Sequence, residues 1–216
     1  MKSVSPRSLF FLVLIWAWIL PWVPDLRAEI KPGLAMIPFF IEKEAACPIC
    51  KGVSTKGEIL SGSQKTMTRL LQQKMEAIET FQVLPLEKVE ETLTQWDQKQ
   101  FEEKPIPSAI QIGKELNAHF ILVGYLFRFE ERIGSTIGAT KPASVGFDLH
   151  LLRVRDGKRV WDGKFDETQQ ALSENLFKIG SFIRRKASWL TAEELASVGM
   201  DEMLRRLPDP KELEEK

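Results

Sequence analysis

The chain is poor in the side chains that most often carry chemistry. It holds two cysteines and two histidines in 216 residues, and its 30 basic groups are balanced by 30 acidic ones. Two cysteines cannot build a disulfide-rich scaffold or a four-thiolate metal site. A net charge of zero argues against a basic nucleic-acid binder and against an acidic tail protein. The sequence has no G-x-S-x-G elbow, no phosphate-binding glycine loop and no H-E-x-x-H helix. Gly134-Ser135-Thr136-Ile137-Gly138 is too loose for a nucleotide cradle. It has no internal repeat and no low-complexity segment. A hydrophobic content of 44% is nevertheless enough for a core.

The N-terminus reads as an export signal. Lys2 and Arg7 precede an apolar run from Leu9 to Leu20, and Pro21 and Pro24 follow it. A spanning helix needs about 20 apolar residues, and this run is shorter. A charged start, a short apolar stretch and a small residue at the exit predict cleavage after Ala28, with Leu26 three residues from the cut. The remaining 188 residues would carry 27 basic and 29 acidic groups. The alternative is an uncleaved membrane anchor over residues 9–23. Ala45-Ala46-Cys47 lies too deep in the chain for a lipidation site, so the expectation is an exported periplasmic protein.

Periodicity lays out the rest. Leu34 to Ile41 predicts one buried strand, residues 42–60 a loop, and Ser61 to about Glu79 a helix with Met67, Leu70, Leu71, Met75 and Ile78 on one face. Ser61 with Gln64 could form a capping box. Phe81 to Leu84 predicts a second strand, Pro85 opens a second helix, and residues 97–107 predict a loop. A third helix spans Ser108 to Leu116, with Asn117 at its left-handed exit. Phe120 to Phe129 is almost wholly apolar, as in a strand covered on both faces. Residues 131–143 predict a hairpin crown. From Val145, alternating Val145, Phe147, Leu149 and Leu151 predict a strand with one buried face, leaving Asp148 and His150 on a solvated one. Asp156-Gly157 suits a tight two-residue turn, and Val160 to Thr168 returns with Trp161, Gly163 and Phe165 on one face. Leu176, Phe177, Ile179, Phe182 and Ile183 predict an apolar helical cluster. Thr191 and Glu194 cap a last helix that Pro208 and Pro210 stop. The fold class is α/β: a mixed sheet with helices packed on it, plus C-terminal helices. The expected division is a signal over 1–28, an α/β domain over 29–190 and a helical tail over 191–216.

Landmarks within this order carry a resemblance. They are Ile37-Pro38-Phe39-Phe40, Phe81-Gln82-Val83-Leu84-Pro85, the stretch from Ile112-Gly113 through Asn117-Ala118-His119 to Val123-Gly124, and Phe147 to Leu152 running into Asp156-Gly157 and Trp161. Over roughly residues 33–185 the chain resembles the α/β domain shared by the TolB N-terminal domain, the curli secretion lipoprotein CsgG and the penicillin-binding-protein activator LpoB. The resemblance implies a non-enzymatic envelope part: a binding, scaffold or assembly accessory module without cofactor. It implies other envelope proteins as partners and allows a homo-oligomer. Unlike CsgG and LpoB, the chain has no lipidation cysteine, and it lacks the propeller that follows in TolB. Gly113 and Gly124 fit close helix–sheet approach.

Cys47-Pro48-Ile49-Cys50 is the one sharp motif, and several readings stay open. In an oxidising compartment the two thiols could close a small disulfide. A thiol–disulfide redox protein using Cys47 and Cys50 is the alternative function, although residues 52–57 have no helical period to lower a thiol pKa. A zinc site needs two more ligands, for which only His119 and His150 remain, and sharing across a dimer could supply them. Covalent haem attachment wants histidine where Lys51 stands. His119 reads as an edge histidine. The Asp148/His150 pair could act together in proton transfer, and a solvated sheet face is the plainer reading. Arg184-Arg185-Lys186 could meet an anionic lipid surface, a peripheral membrane contact.

Overall fold

The computed structural model describes residues 31–169 and 189–215. The expected cleavage after Ala28, the apolar cluster over 176–183 and the Arg184-Arg185-Lys186 patch lie outside the described residues. Lys31–Lys216 forms one compact unit. Among the described residues no helix is long and apolar enough to cross a membrane.

The elements run β1 (Gly33–Met36), β2 (Phe40–Ile41), α1 (Ser63–Ile78), β3 (Gln82–Val83), α2 (Leu86–Leu93), α3 (Gln98–Glu103), α4 (Pro105–Glu115), β4 (Phe120–Glu130), β5 (Ile133–Gly134), β6 (Ala139–Lys141), β7 (Ser144–Arg153), β8 (Arg159–Thr168), α5 (Ala192–Leu204) and α6 (Pro210–Glu215). The main sheet has the order β3-β1-β4-β7-β8, with β2 also on β4. β1, β2 and β3 pair in parallel, and β4, β7 and β8 antiparallel. It is the mixed sheet with packed helices that the element order implied.

The sheet is covered on both faces. One face sends Leu34, Phe120, Leu122, Phe147 and Leu149 against α1 and α5. Helix α5 therefore belongs to the core, with Leu195, Ala196 and Met200 fully buried. The other face sends Ala35, Ile121, Val123, Tyr125 and Phe127 against α2, α4 and the loop carrying Cys47.

Several local expectations change. The single strand over 34–41 breaks at Ile37–Phe39. Pro38 has no N–H for a ladder, and α1 takes over the next residue: Phe39 N–H donates to Thr68 Oγ1 at 3.1 Å, and Gln64 Nε2 donates to the Phe39 carbonyl at 2.5 Å. That use of Gln64 leaves no capping box at Ser61, and Gly62 stands at the cap without a side-chain bond. Residues 97–107 are helical, because Asp97 caps α3 by accepting the Lys99 N–H at 3.0 Å and Phe101 is buried. The β7–β8 turn is longer than two residues, and only Gly157 has positive φ, at 73°. The Thr191/Glu194 capping box is formed, and Asn117 sits at φ 54° as expected.

Gly124 marks where the sheet and Phe39 meet. A Cβ there would lie 2.7 Å from Phe39 Cε1. Phe39 is fully buried and cannot swing aside. Gly124→Ala is expected to cost about 1–3 kcal/mol, the usual range for overpacking, read as a lower urea midpoint at unchanged slope.

Candidate functional site

Strand β7 is buried on both faces, against the expectation of a solvated side. Its register explains the consequence. His150 pairs with Val123 on β4 and Asp162 on β8, and Asp148 pairs with Tyr125 and Lys164. The cover is the aperiodic segment 42–60, which folds back over this face. Arg159 Nη1 donates to the Ile49 carbonyl at 3.2 Å, and Lys164 Nζ donates to the Val53 carbonyl. Thr55 N–H donates to Asp166 at 2.8 Å, and Phe129 N–H donates to the Glu58 carbonyl at 2.8 Å.

The segment turns back on itself at the Cys47–Cys50 motif. Ala46 bridges Val53, Cys47 N–H donates to the Gly52 carbonyl at 2.8 Å, and Lys51 takes φ 60° to close the turn. Both sulfurs therefore face the sheet. The structure holds them as free thiols, without the disulfide considered from the sequence. Instead Cys47 Sγ lies 3.0 Å from His150 Nε2, and Cys50 Sγ lies 3.8 Å from Asp148 Oδ2. One ligand atom from each of Cys47, Cys50, Asp148 and His150 lies within 4.8 Å of the others. Cys47, Asp148 and His150 are buried, and Cys50 is partly exposed.

The electrostatics follow from burial. Desolvation pushes the Cys47 thiol up to about 12, against the amides of Ile49 and Cys50 that point at it. That is the opposite of the depressed pKa an exchange-active thiol uses. Burial also holds the Asp148 carboxyl above its ordinary range, against the pull of His150, Lys164 and the two cysteines. Asp148 Oδ1 is buried with no hydrogen-bond partner among the described residues. His150 Nδ1 donates to Asp162 Oδ1 at 2.6 Å, which leaves the Nε2 lone pair facing the sulfurs. Asp162 is itself held by Arg159 Nε at 3.0 Å.

His119 is not part of the cluster. It is exposed, and its Nδ1 accepts the Gly33 N–H at 3.0 Å. Counting only cysteine and histidine as donors concealed Asp148. The available signal was the Asp-x-His spacing at 148 and 150, which puts both side chains on one face of a strand. Beside the cluster, Phe40, Phe101, Tyr125 and Pro48 line a cleft of about 580 Å³.

No protein-family model matches the chain, and no curated protein matches it. Solved structures of similar path include the PelC dodecamer from Paraburkholderia phytofirmans, at 12% identity and TM-score 0.47, covering 81% of this chain and 85% of that one. The LpoB C-terminal domain from Salmonella enterica follows at 15% identity and TM-score 0.42, covering 64% and 84%. Lipoprotein GNA1162 from Neisseria meningitidis has 14% identity and TM-score 0.41, covering 72% and 94%. The likeness concerns the path of the chain and carries no conclusion about chemistry.

Proposed function

We propose that the chain is an exported, non-enzymatic binding module of the cell envelope, and that it holds a second envelope protein through the β5–β6 ribbon. One observation carries this reading. The concentrated polar cluster is turned inward and buried, whereas the ribbon turns its apolar side chains outward: Ile137 is 94% exposed and Ile133 60% exposed. An isoleucine offered this fully at a ribbon tip is the kind of anchor a partner pocket desolvates. The ribbon is held in place. Trp189 N–H donates to the Thr136 carbonyl at 2.9 Å, and Lys141 pairs with Glu130 at 2.9 Å. The charged start and short apolar run before Ala28 supply the export.

A photo-reactive residue placed at position 137 of the full chain, expressed in its exporting host, tests both halves. The expected result is an adduct of one defined mass from position 137 and none from the exposed control position 88, with the mature chain beginning at Glu29. A position-137 probe that gives no adduct beyond the control's removes the docking reading. A retained Met1 moves the protein to the anchored alternative.

A further inference from the structure

We infer that Cys47, Cys50, Asp148 and His150 form a closed, tetrahedral zinc site that fastens the 42–60 segment to β7. The donors span a sequence separation of 103 residues between Cys47 and His150, so a metal there cross-links the loop to the middle of the sheet.

Four features of the geometry converge. The donor set is two sulfurs, an imidazole nitrogen and a carboxylate oxygen, which suits Zn²⁺ among common divalent ions. A tetrahedral site with bonds of about 2.0–2.3 Å separates its ligand atoms by roughly 3.3–3.8 Å. The four atoms here already lie within 4.8 Å of one another, with contacts of 3.0 and 3.8 Å. Next, the second shell is in place. Asp162 accepts from His150 Nδ1, the carboxylate–histidine–metal arrangement that fixes the tautomer and aims Nε2 at the ion. Third, backbone amides serve the sulfurs: Gly52 N–H donates to Cys50 Sγ at 3.3 Å, and the amides of Ile49 and Cys50 point at Cys47. Last, Asp148 Oδ1 is a buried oxygen without a partner among the described residues, and a buried carboxylate left in that state calls for a cation.

The proton and charge balance is simple. Zn²⁺ displaces the two thiol protons to solvent, and no oxidation state changes. Two thiolates and one carboxylate leave the loaded site one negative charge in excess, which Lys164, opposite Asp148, faces. Arg159 balances Asp162. Access is from the Cys50 side, the only partly exposed ligand of the four.

The test uses the full chain, first isolated without added reductant and then reduced, and it reads zinc and cobalt directly. We expect one zinc per chain after desalting. Co²⁺ in its place should give intense tetrahedral visible bands and a thiolate-to-cobalt charge-transfer band. Cys50→Ser, at the least buried ligand, should keep the fold by circular dichroism and lose the charge-transfer intensity of one thiolate, with zinc affinity down at least a hundredfold. Asp162→Asn should keep the cobalt spectrum and weaken zinc about 10–100-fold. A chain that retains no stoichiometric zinc, gives octahedral cobalt, or binds equally well as Cys50→Ser overturns the site. A Cys47–Cys50 disulfide in the unreduced isolate overturns it as well. Loss of zinc binding would leave the position-137 adduct untouched, so the two proposals fail separately.

Discussion

Arg128→Met is expected to destabilise the fold by about 3 kcal/mol, the lower end of the range for removing one partner of a buried ion pair. The Arg128 side chain is 5% exposed and sits where β4, β8 and the 42–60 segment meet. Its Nη2 pairs with Asp166 at 2.7 Å, its Nε donates to Ser144 Oγ at 2.6 Å, and its Nη1 donates to the Thr55 carbonyl at 2.6 Å. Methionine fills the space of the stem and leaves Asp166 without its cation. The lower end of the range applies because the Asp166 side chain is 22% exposed and water reaches it. For a chain of this size the melting temperature should fall by roughly 6–12 °C. Asp166→Asn should cost less, since Arg128 keeps its bonds to Ser144 and Thr55.

The same pair sets an acid limit. Burial alone would raise the Asp166 carboxyl, but the Thr55 amide and Arg128 outweigh it and hold the group below its ordinary value. A carboxyl depressed in the folded state contributes its full stability above the free-aspartate value of about 3.9. That contribution is lost as pH falls through the lower folded value. The stability gap between the wild type and Asp166→Asn should therefore be flat near neutral pH and close in acid, below about pH 4.

Where neighbours in sequence decide the structure, the chain was readable. The apolar run at β4, the one-face spacing of Met67, Leu70, Leu71 and Met75 in α1, and the Thr191/Glu194 cap of α5 each depend on residues a turn or two apart. What distant residues decide was not readable. The break after Met36 depends on Thr68 and Gln64, about 25–30 positions away, which take over the Phe39 backbone. Strand β7 alternates from Val145 to Leu151, and its polar half would face water on any local reading. It is buried because a segment with no periodicity of its own returns across it, about a hundred residues earlier in the chain. The candidate site shared that fate. Both halves, Cys-x-x-Cys and Asp-x-His, were visible as local motifs, and only the return of the 42–60 segment brings them together.

That dependence makes the segment the place where metal should register most strongly. In the metal-free chain the segment is folded on itself by bonds such as Cys47 N–H to the Gly52 carbonyl and Ser54 N–H to the Ala45 carbonyl, and it is held to the sheet by Glu42 N–H to the Leu126 carbonyl, Phe129 N–H to the Glu58 carbonyl and side-chain contacts from β4 and β8. The segment contributes Cys47 and Ile49 to the core on this face of the sheet, so opening it is a local unfolding step that uncovers that core. Opening the segment separates the two cysteines from Asp148 and His150, so a bound ion must leave first. With free zinc at a thousand times its dissociation constant, that adds about 4 kcal/mol to the cost of opening. Hydrogen exchange at the Cys47, Lys51 and Ser54 amides should then slow about a thousandfold, and a chelator should restore it. Helix amides around Ile112 should not change at times short of global unfolding. Because the unfolded chain also lacks the assembled site, the melting temperature should rise by roughly 8–16 °C. Cys50→Ser, at least a hundredfold weaker for zinc, should show at most about a tenfold slowing and a rise of no more than roughly 3–6 °C. Equal exchange with and without zinc at the Cys47 and Ser54 amides would mean that the segment is closed by its backbone alone and that the four donors meet without holding an ion.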